Sequence, residues 1–170
     1  VEEAEKAVLI HNVATLGDVS RYAASYDDQK IINDYINLNI TSVMLLTSAF
    51  LKQYGSNDTV SKIIVNMTTP LARKATAGLG LYSSGKIARE MYLNVLAVED
   101  PTMKVLHYYP GVVKTDMLAE IQTGVEEMRP ALEEFRTKAM SPEEPARMLI
   151  YVLRNEDFDS GDYIDFYARA

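Results

Sequence analysis

The stretch from Ile63 to Lys86 constrains this chain more than any other. Ile63-Ile64-Val65 is a β-branched run that reads as a buried strand over Lys62 to Met67, and Thr68-Thr69-Pro70 ends it. After a short loop, a helical pattern runs from Tyr82 to Glu99, with apolar residues at Ile87, Met91, Leu93, Val95 and Val98, and Asp100-Pro101 closes it. Tyr82 and Lys86 stand four apart at the start of that helix, so they share one face.

This grouping has a definite chemistry. A nearby ammonium lowers the pKa of a phenol, by roughly 1–3 units from ~10. Tyr82 can then give a proton to a carbonyl oxygen, while the Thr69 hydroxyl hydrogen-bonds the same oxygen as charge develops on it. The hydride that completes such a reduction comes from a nicotinamide, since no side chain supplies one. The spacing alone is weak, because Tyr26 and Lys30 share it. Context separates the pairs. Tyr82–Lys86 follows a strand, has a hydroxyl residue upstream, and is flanked by Ser83, Ser84 and Gly85, small enough for a ligand to approach; Tyr26–Lys30 sits among Asp27, Asp28 and Gln29 and reads as a solvated pair.

Composition narrows the field. With 170 residues and 48% hydrophobic content, one core and one domain over residues 1–170 are expected. A net charge of −7 argues against nucleic acid or an anionic membrane as a general partner. The absence of cysteine excludes disulfides and thiolate metal sites, and two histidines, His11 and His107, do not make a histidine-based one. No apolar run reaches the ~20 residues of a membrane span. A soluble, cytoplasmic protein is the expectation.

Elsewhere, Ala7 to Val13 reads as a central strand. Asp27 or Asp28 caps a long helix reaching about Gln53, whose dense apolar residues indicate burial on two sides. Asn39 lies inside it, a poor helix residue that invites a reason: either a buried side-chain hydrogen bond or a functional part. Val105 to Tyr109 is another strand, broken by Pro110-Gly111, and Val112 to Met117 is a loop capped by Thr115 or Asp116. Gly124 and Pro130 divide residues 118–139 into two short helices. Ser141 caps a helix towards Arg154, and Tyr163 to Tyr167 is a final strand.

Thr69, Tyr82 and Lys86, with Asn39 in Leu-Asn-Ile-Thr and Pro110-Gly111-Val112-Val113-Lys114-Thr115, resemble the short-chain dehydrogenase/reductases over nearly the whole chain. Within that family Leu16-Gly17-Asp18, Thr115-Asp116-Met117 and the ending Asp165-Phe166-Tyr167 are similar to its pterin-reducing branch. The resemblance implies a Rossmann-like, doubly wound parallel sheet in three αβα layers. It also implies an NADP(H)-dependent carbonyl reductase acting on a pterin side-chain ketone in tetrahydrobiopterin synthesis, and a homodimer formed through the two long helices. By the same resemblance Asn39 organises a water relay to Lys86, while Asn12, Val113, Thr115 and Met117 join Tyr82 and Lys86 around the cofactor. Thr69, Pro70, Tyr82, Gly111 and Asp165 meet the substrate, with Asp165 anchoring the pterin, and 118–139 forms a lid. Thr69 departs from the family's usual serine, and Ala14 from a usual glycine. The family's glycine-rich pyrophosphate turn is absent, and Glu2 to Lys6 read as the tail of a helix running into a strand. The expectation is therefore a domain incomplete at its N-terminus, part of a longer protein rather than a natural truncation, because half a parallel sheet leaves an inner strand edge unpaired. Two other functions stay open: reduction of small diketones or other carbonyls, and a non-catalytic dimerisation or binding module.

Overall fold

The computed structural model describes residues 5–169, so Glu2 to Ala4 of the expected leading helix lie outside the described residues. Four strands form one parallel sheet in sequential order: β1 (Lys6–His11), β2 (Ser61–Met67), β3 (Met103–Tyr109) and β4 (Asp162–Asp165). Every connection between them is a helical crossover, as parallel pairing demands. The first crossover is a continuous helix built of α1 (Gln29–Ile36), a π-turn at Asn37–Thr41 and α2 (Ser42–Tyr54). Asp28 caps it by accepting from the amides of Lys30 and Ile31. The second is α3 (Gly80–Glu99). The third contains α4 (Asp116–Glu120), α5 (Arg129–Lys138) and α6 (Glu143–Asn155).

Side chains alternate across the sheet, and each face has its own cover. Ile63, Val65, Leu106 and Tyr108 pack with Leu149 and Val152 of α6 and with Phe158 and Ile164. Ile64 and Val105 point the other way, against Leu93 of α3, with Phe50 and Leu51 of α2 beside them. The result is a three-layer αβα sandwich, the Rossmann-like arrangement expected. A third cluster sits above the carboxyl ends of the strands, where Leu16, Val19, Leu79 and Tyr82 meet Ile121, Val125, Met128 and Leu132.

The structure corrects several expectations. β1 ends at His11 rather than Val13, and it pairs only with β2, placing it at the edge of the described sheet rather than in its centre. Pro130 does not divide two helices but lies in the first turn of α5, where a missing N–H costs nothing. Ser141 does not cap α6; Pro142 holds that position, and the Ser141 hydroxyl only reaches the Glu143 amide at 3.5 Å. The last strand stops at Asp165, and Phe166–Arg169 forms a short helix, α7. Asp165 pairs with Tyr109, the last residue of β3, so nothing remains beyond it for a strand to bond to.

α3 is inside-out. Its buried stripe holds Tyr82, Gly85, Lys86, Arg89, Glu90 and Leu93, while Ile87, Met91, Val95 and Val98 face outward, Val98 at 84% exposure. The smallness of Gly85 serves the fold rather than a ligand, because a Cβ there would lie 2.3 Å from the Tyr35 hydroxyl.

Both histidines are buried as neutral side chains. His11 bonds the Thr47 hydroxyl at 2.9 Å, and His107 bridges Asn66 and Asn94 at 3.2 and 2.8 Å. Burial, then the charges of Arg89 and Arg73 respectively, lower each pKa from 6.5 to about 4. Between those values the unfolded chain binds protons that the folded one refuses. Each histidine is thus expected to contribute on the order of 3 kcal/mol, complete above pH 6.5 and lost as pH falls towards 4. Urea midpoints at pH 7 and pH 4.5 for the protein and its His107→Gln variant check this. The variant should lose stability less steeply on acidification, and an equal loss would contradict it.

Candidate active site

The carboxyl ends of the four strands open into a cavity of about 1330 Å³, and the segments that follow those strands supply most of its walls. This is where open α/β sheets bind ligands. Thr69 and Pro70 enter from the end of β2, Tyr82 and Lys86 from the first turns of α3, and Asn12 from the turn after β1. Gly111, Val113, Thr115 and Met117 come from the segment after β3, and Asp165 from the end of β4. The cavity therefore gathers every catalytic, cofactor and substrate residue implied by the resemblance except Asn39.

Asn39 is buried behind it. Its Nδ2 donates to the Tyr35 carbonyl and its Oδ1 accepts from the Thr15 amide, both at 3.0 Å. Those bonds are the structural role weighed for it from the sequence, and they pin the turn after β1 to the π-turn.

Lys86 Nζ donates to the Met67 carbonyl at 2.8 Å and lies 5.6 Å from the centre of the Tyr82 ring. Burial, with the charge of Arg89 adding and that of Glu90 opposing, brings the Lys86 pKa down to about 7. Burial pushes the Tyr82 phenol up to about 12, against the pull of the Arg89 charge and a hydrogen bond with Thr69. The expectation that Lys86 depresses Tyr82 is corrected on this point. Desolvation of the phenol dominates, and the cation that opposes it is Arg89. At neutral pH Tyr82 carries its proton.

Around this centre the backbone is tied down. Thr69 Oγ1 also accepts from the Leu71 amide at 3.3 Å, which caps the turn carrying Pro70. Gly111 has φ +78°, and a Cβ there would come within 2.9 Å of the Tyr167 ring, so glycine alone fits both the conformation and the space. The Tyr167 hydroxyl accepts from the Val112 amide at 2.9 Å, and Met140 pairs with both sides of Val113 through Val112 and Lys114. The loop after β3 is thereby held to the end of α5. Thr115 starts α4 but its side chain makes no cap bond; its hydroxyl contacts the Val113 carbonyl at 3.4 Å. Asp165 accepts from the Tyr167 amide through Oδ1 at 2.9 Å. From the expected lid, Leu118, Ile121, Glu134 and Phe135 line the cavity.

Sequence reasoning missed three buried charged or polar positions beside the site. Thr68 donates to Glu90 on α3; Glu90 is paired with Arg73 at 2.8 Å, and Arg73 lies 5.0 Å over the Tyr163 ring. Arg89 is the third. Charged residues on a helix normally face water, so nothing in their spacing announces burial. Tyr26 and Lys30, in contrast, go separate ways, to the Asp18 carbonyl and to Asp34.

Comparison with known proteins agrees with this architecture. The family pattern for short chain dehydrogenase matches residues 4–126. Sepiapterin reductase of Bos taurus is 38% identical over 170 residues, covering 98% of this chain and 64% of that protein. Benzil reductase ((S)-benzoin forming) of Bacillus cereus is 28% identical over 165 residues, covering 92% and 65% respectively. The chain thus spans just under two thirds of the length of these relatives. Among solved structures, the KRED1-Pglu enzyme superposes with a TM-score of 0.78 at 22% identity over 92% of this chain and 67% of that one. A short chain dehydrogenase of Shigella flexneri complexed with NADP gives 0.75 at 22% identity over 94% and 62%. With the sheet, the cavity and these likenesses together, the chain belongs to the short-chain dehydrogenase family and within it resembles sepiapterin reductases.

Proposed function

We propose that this chain, as part of a single Rossmann-type domain, belongs to an NADP(H)-dependent carbonyl reductase whose substrate is the side-chain ketone of a pterin. The observation that carries the reading is the meeting of Thr69, Tyr82 and Lys86 in one cavity with Asp165. The cavity suits a dinucleotide in its donor set: the Lys86 ammonium, the Thr115 hydroxyl and the backbone of Val113 line it beside Asn12 and Met117. When bound, NADPH supplies the hydride.

The side chains do the rest. Thr69 donates a hydrogen bond to the substrate oxygen as negative charge grows there, and Tyr82 delivers its proton to that oxygen. Lys86, titrating at about 7, is placed to return a proton to the tyrosinate and to hold the cofactor ribose. The Asp165 carboxylate accepts two parallel N–H bonds from a 2-amino-pyrimidinone edge. The outward apolar faces of α3 and of α2, where Leu45 and Leu46 are exposed, support a homodimer formed through these helices.

The likeness to a benzil reductase favours a second reading, reduction of diketones, whose substrates lack N–H groups for Asp165. NADPH oxidation by the full-length protein, with sepiapterin and with benzil, separates the two. Asp165→Asn keeps the bond to the Tyr167 amide but loses the charge. It should raise the KM for sepiapterin about tenfold and leave benzil unchanged. Turnover of benzil alone would select the second reading. Failure to bind NADPH would leave only a non-catalytic binding module.

A further inference from the structure

Arg89, one turn beyond Lys86 on α3, is 1% exposed. Its Nη2 donates to the His11 carbonyl at 2.7 Å, its Nη1 to the Val13 carbonyl at 3.2 Å and its Nε to Asn66 Oδ1 at 3.1 Å. All three partners are neutral. The adjacent carboxylate, Glu90, is turned to Arg73, and among the described residues Arg89 forms no ion pair.

A buried cation without a counter-ion carries a desolvation cost that apolar packing at the same place would avoid. The fork of the guanidinium does something apolar packing cannot. Its two carbonyl partners bracket Asn12, which lines the cavity, and the far side of the same turn is held by Asn39 through the Thr15 amide. Tyr82, Lys86 and Arg89 lie on one stripe of one helix, so the turn and the proton donor are referenced to the same rigid rod.

We propose that Arg89 is a positioning residue, which fastens the Asn12 turn to α3 and fixes the separation between that turn's cofactor contacts and the Tyr82–Lys86 pair. This rests on the reductase reading of the cavity. Its charge acts on the same pair. The ionisable groups near it are Tyr82, Lys86 and Glu90 on α3, Tyr35 on α1 and His11 on β1. Of these, Arg89 lowers the pKa of Tyr82, Lys86, Tyr35 and His11, while Glu90 is occupied by Arg73.

The test uses the full-length protein with Arg89→Lys, which keeps the charge but not the fork, and Arg89→Met, which loses both. Amide hydrogen exchange at Asn12 and Thr15, without cofactor, should be faster in both variants than global unfolding accounts for. NADPH binding, followed by fluorescence, should weaken about tenfold in both. The apparent pKa of the catalytic acid in the kcat profile should rise by about one unit in Arg89→Met only. Unchanged exchange and unchanged NADPH affinity in Arg89→Lys, with no more than a lower Tm, would overturn the proposal and leave Arg89 a packing residue. Arg89→Lys carries the test if Arg89→Met does not fold. If the unaltered protein does not bind NADPH, the reductase reading falls; faster exchange at Asn12 and Thr15 would then still support the tether, and unchanged exchange would remove it.

Discussion

Tyr82→Phe is expected to lower the rate of carbonyl reduction by roughly 10²–10⁴-fold and to leave NADPH affinity within a few fold. The substitution removes one oxygen. The ring stays packed against Leu16, Leu79 and Met128, so neither the cavity wall nor the start of α3 has cause to move. What disappears is the proton that burial keeps on the phenol at neutral pH. Stopped-flow measurement of NADPH oxidation with saturating ketone, paired with fluorescence titration of the cofactor, separates chemistry from binding. A Tyr82→Phe variant that turns over at close to the parent rate would remove Tyr82 as the acid and send attention to Lys86.

Thr69→Val is the second large effect, a loss of about 10²–10³ in kcat. The side chains are nearly the same shape, and the position is buried, so the variant trades a hydroxyl for a methyl at almost constant volume. Its hydrogen bonds go with it: the one offered to the substrate oxygen, the one with Tyr82 and the one accepted from the Leu71 amide at 3.3 Å. Thr69→Ser separates them from packing, since it restores the hydroxyl and lacks only the methyl. Near-parent kcat in Thr69→Ser, with collapse in Thr69→Val, is the expected pattern. Equal losses in the two variants would mean that the methyl, not the hydroxyl, matters.

The sequence made the fold readable wherever local pattern and tertiary demand coincide. Ile63 to Val65 is buried on both sides of the sheet, and the strand runs from Ser61 to Met67, one residue longer than read. α3 begins two residues before Tyr82 and ends at Glu99 as expected. The residues that line the cavity were legible because they follow strand ends in sequence, and strand ends converge in a parallel sheet. Long-range demands were not legible. The aromatic and apolar residues within Tyr163 to Tyr167 mimic a strand, but the partner strand runs out at Tyr109. Asn39 is a poor helix residue that invites a reason, and its side-chain bonds go to two backbone groups that only folding brings together. Arg89 and Glu90 look like solvent-facing charges until the crossover lays them against β1, β2 and Arg73.

The inside-out stripe of α3 also bears on how such a protein can change its preferences. Tyr82, Lys86, Arg89 and Glu90 occupy successive turns of one rod, so on the proposed reading a substitution there disturbs the reaction for any substrate. Asp165, Phe135 and Glu134 reach the same cavity from a strand end and a separate helix. On the proposed reading, recognition rests on parts of the chain that can drift without touching the reaction. New selectivity in such a scaffold is expected to accumulate after β3 and beyond, leaving residues 80–93 almost untouched.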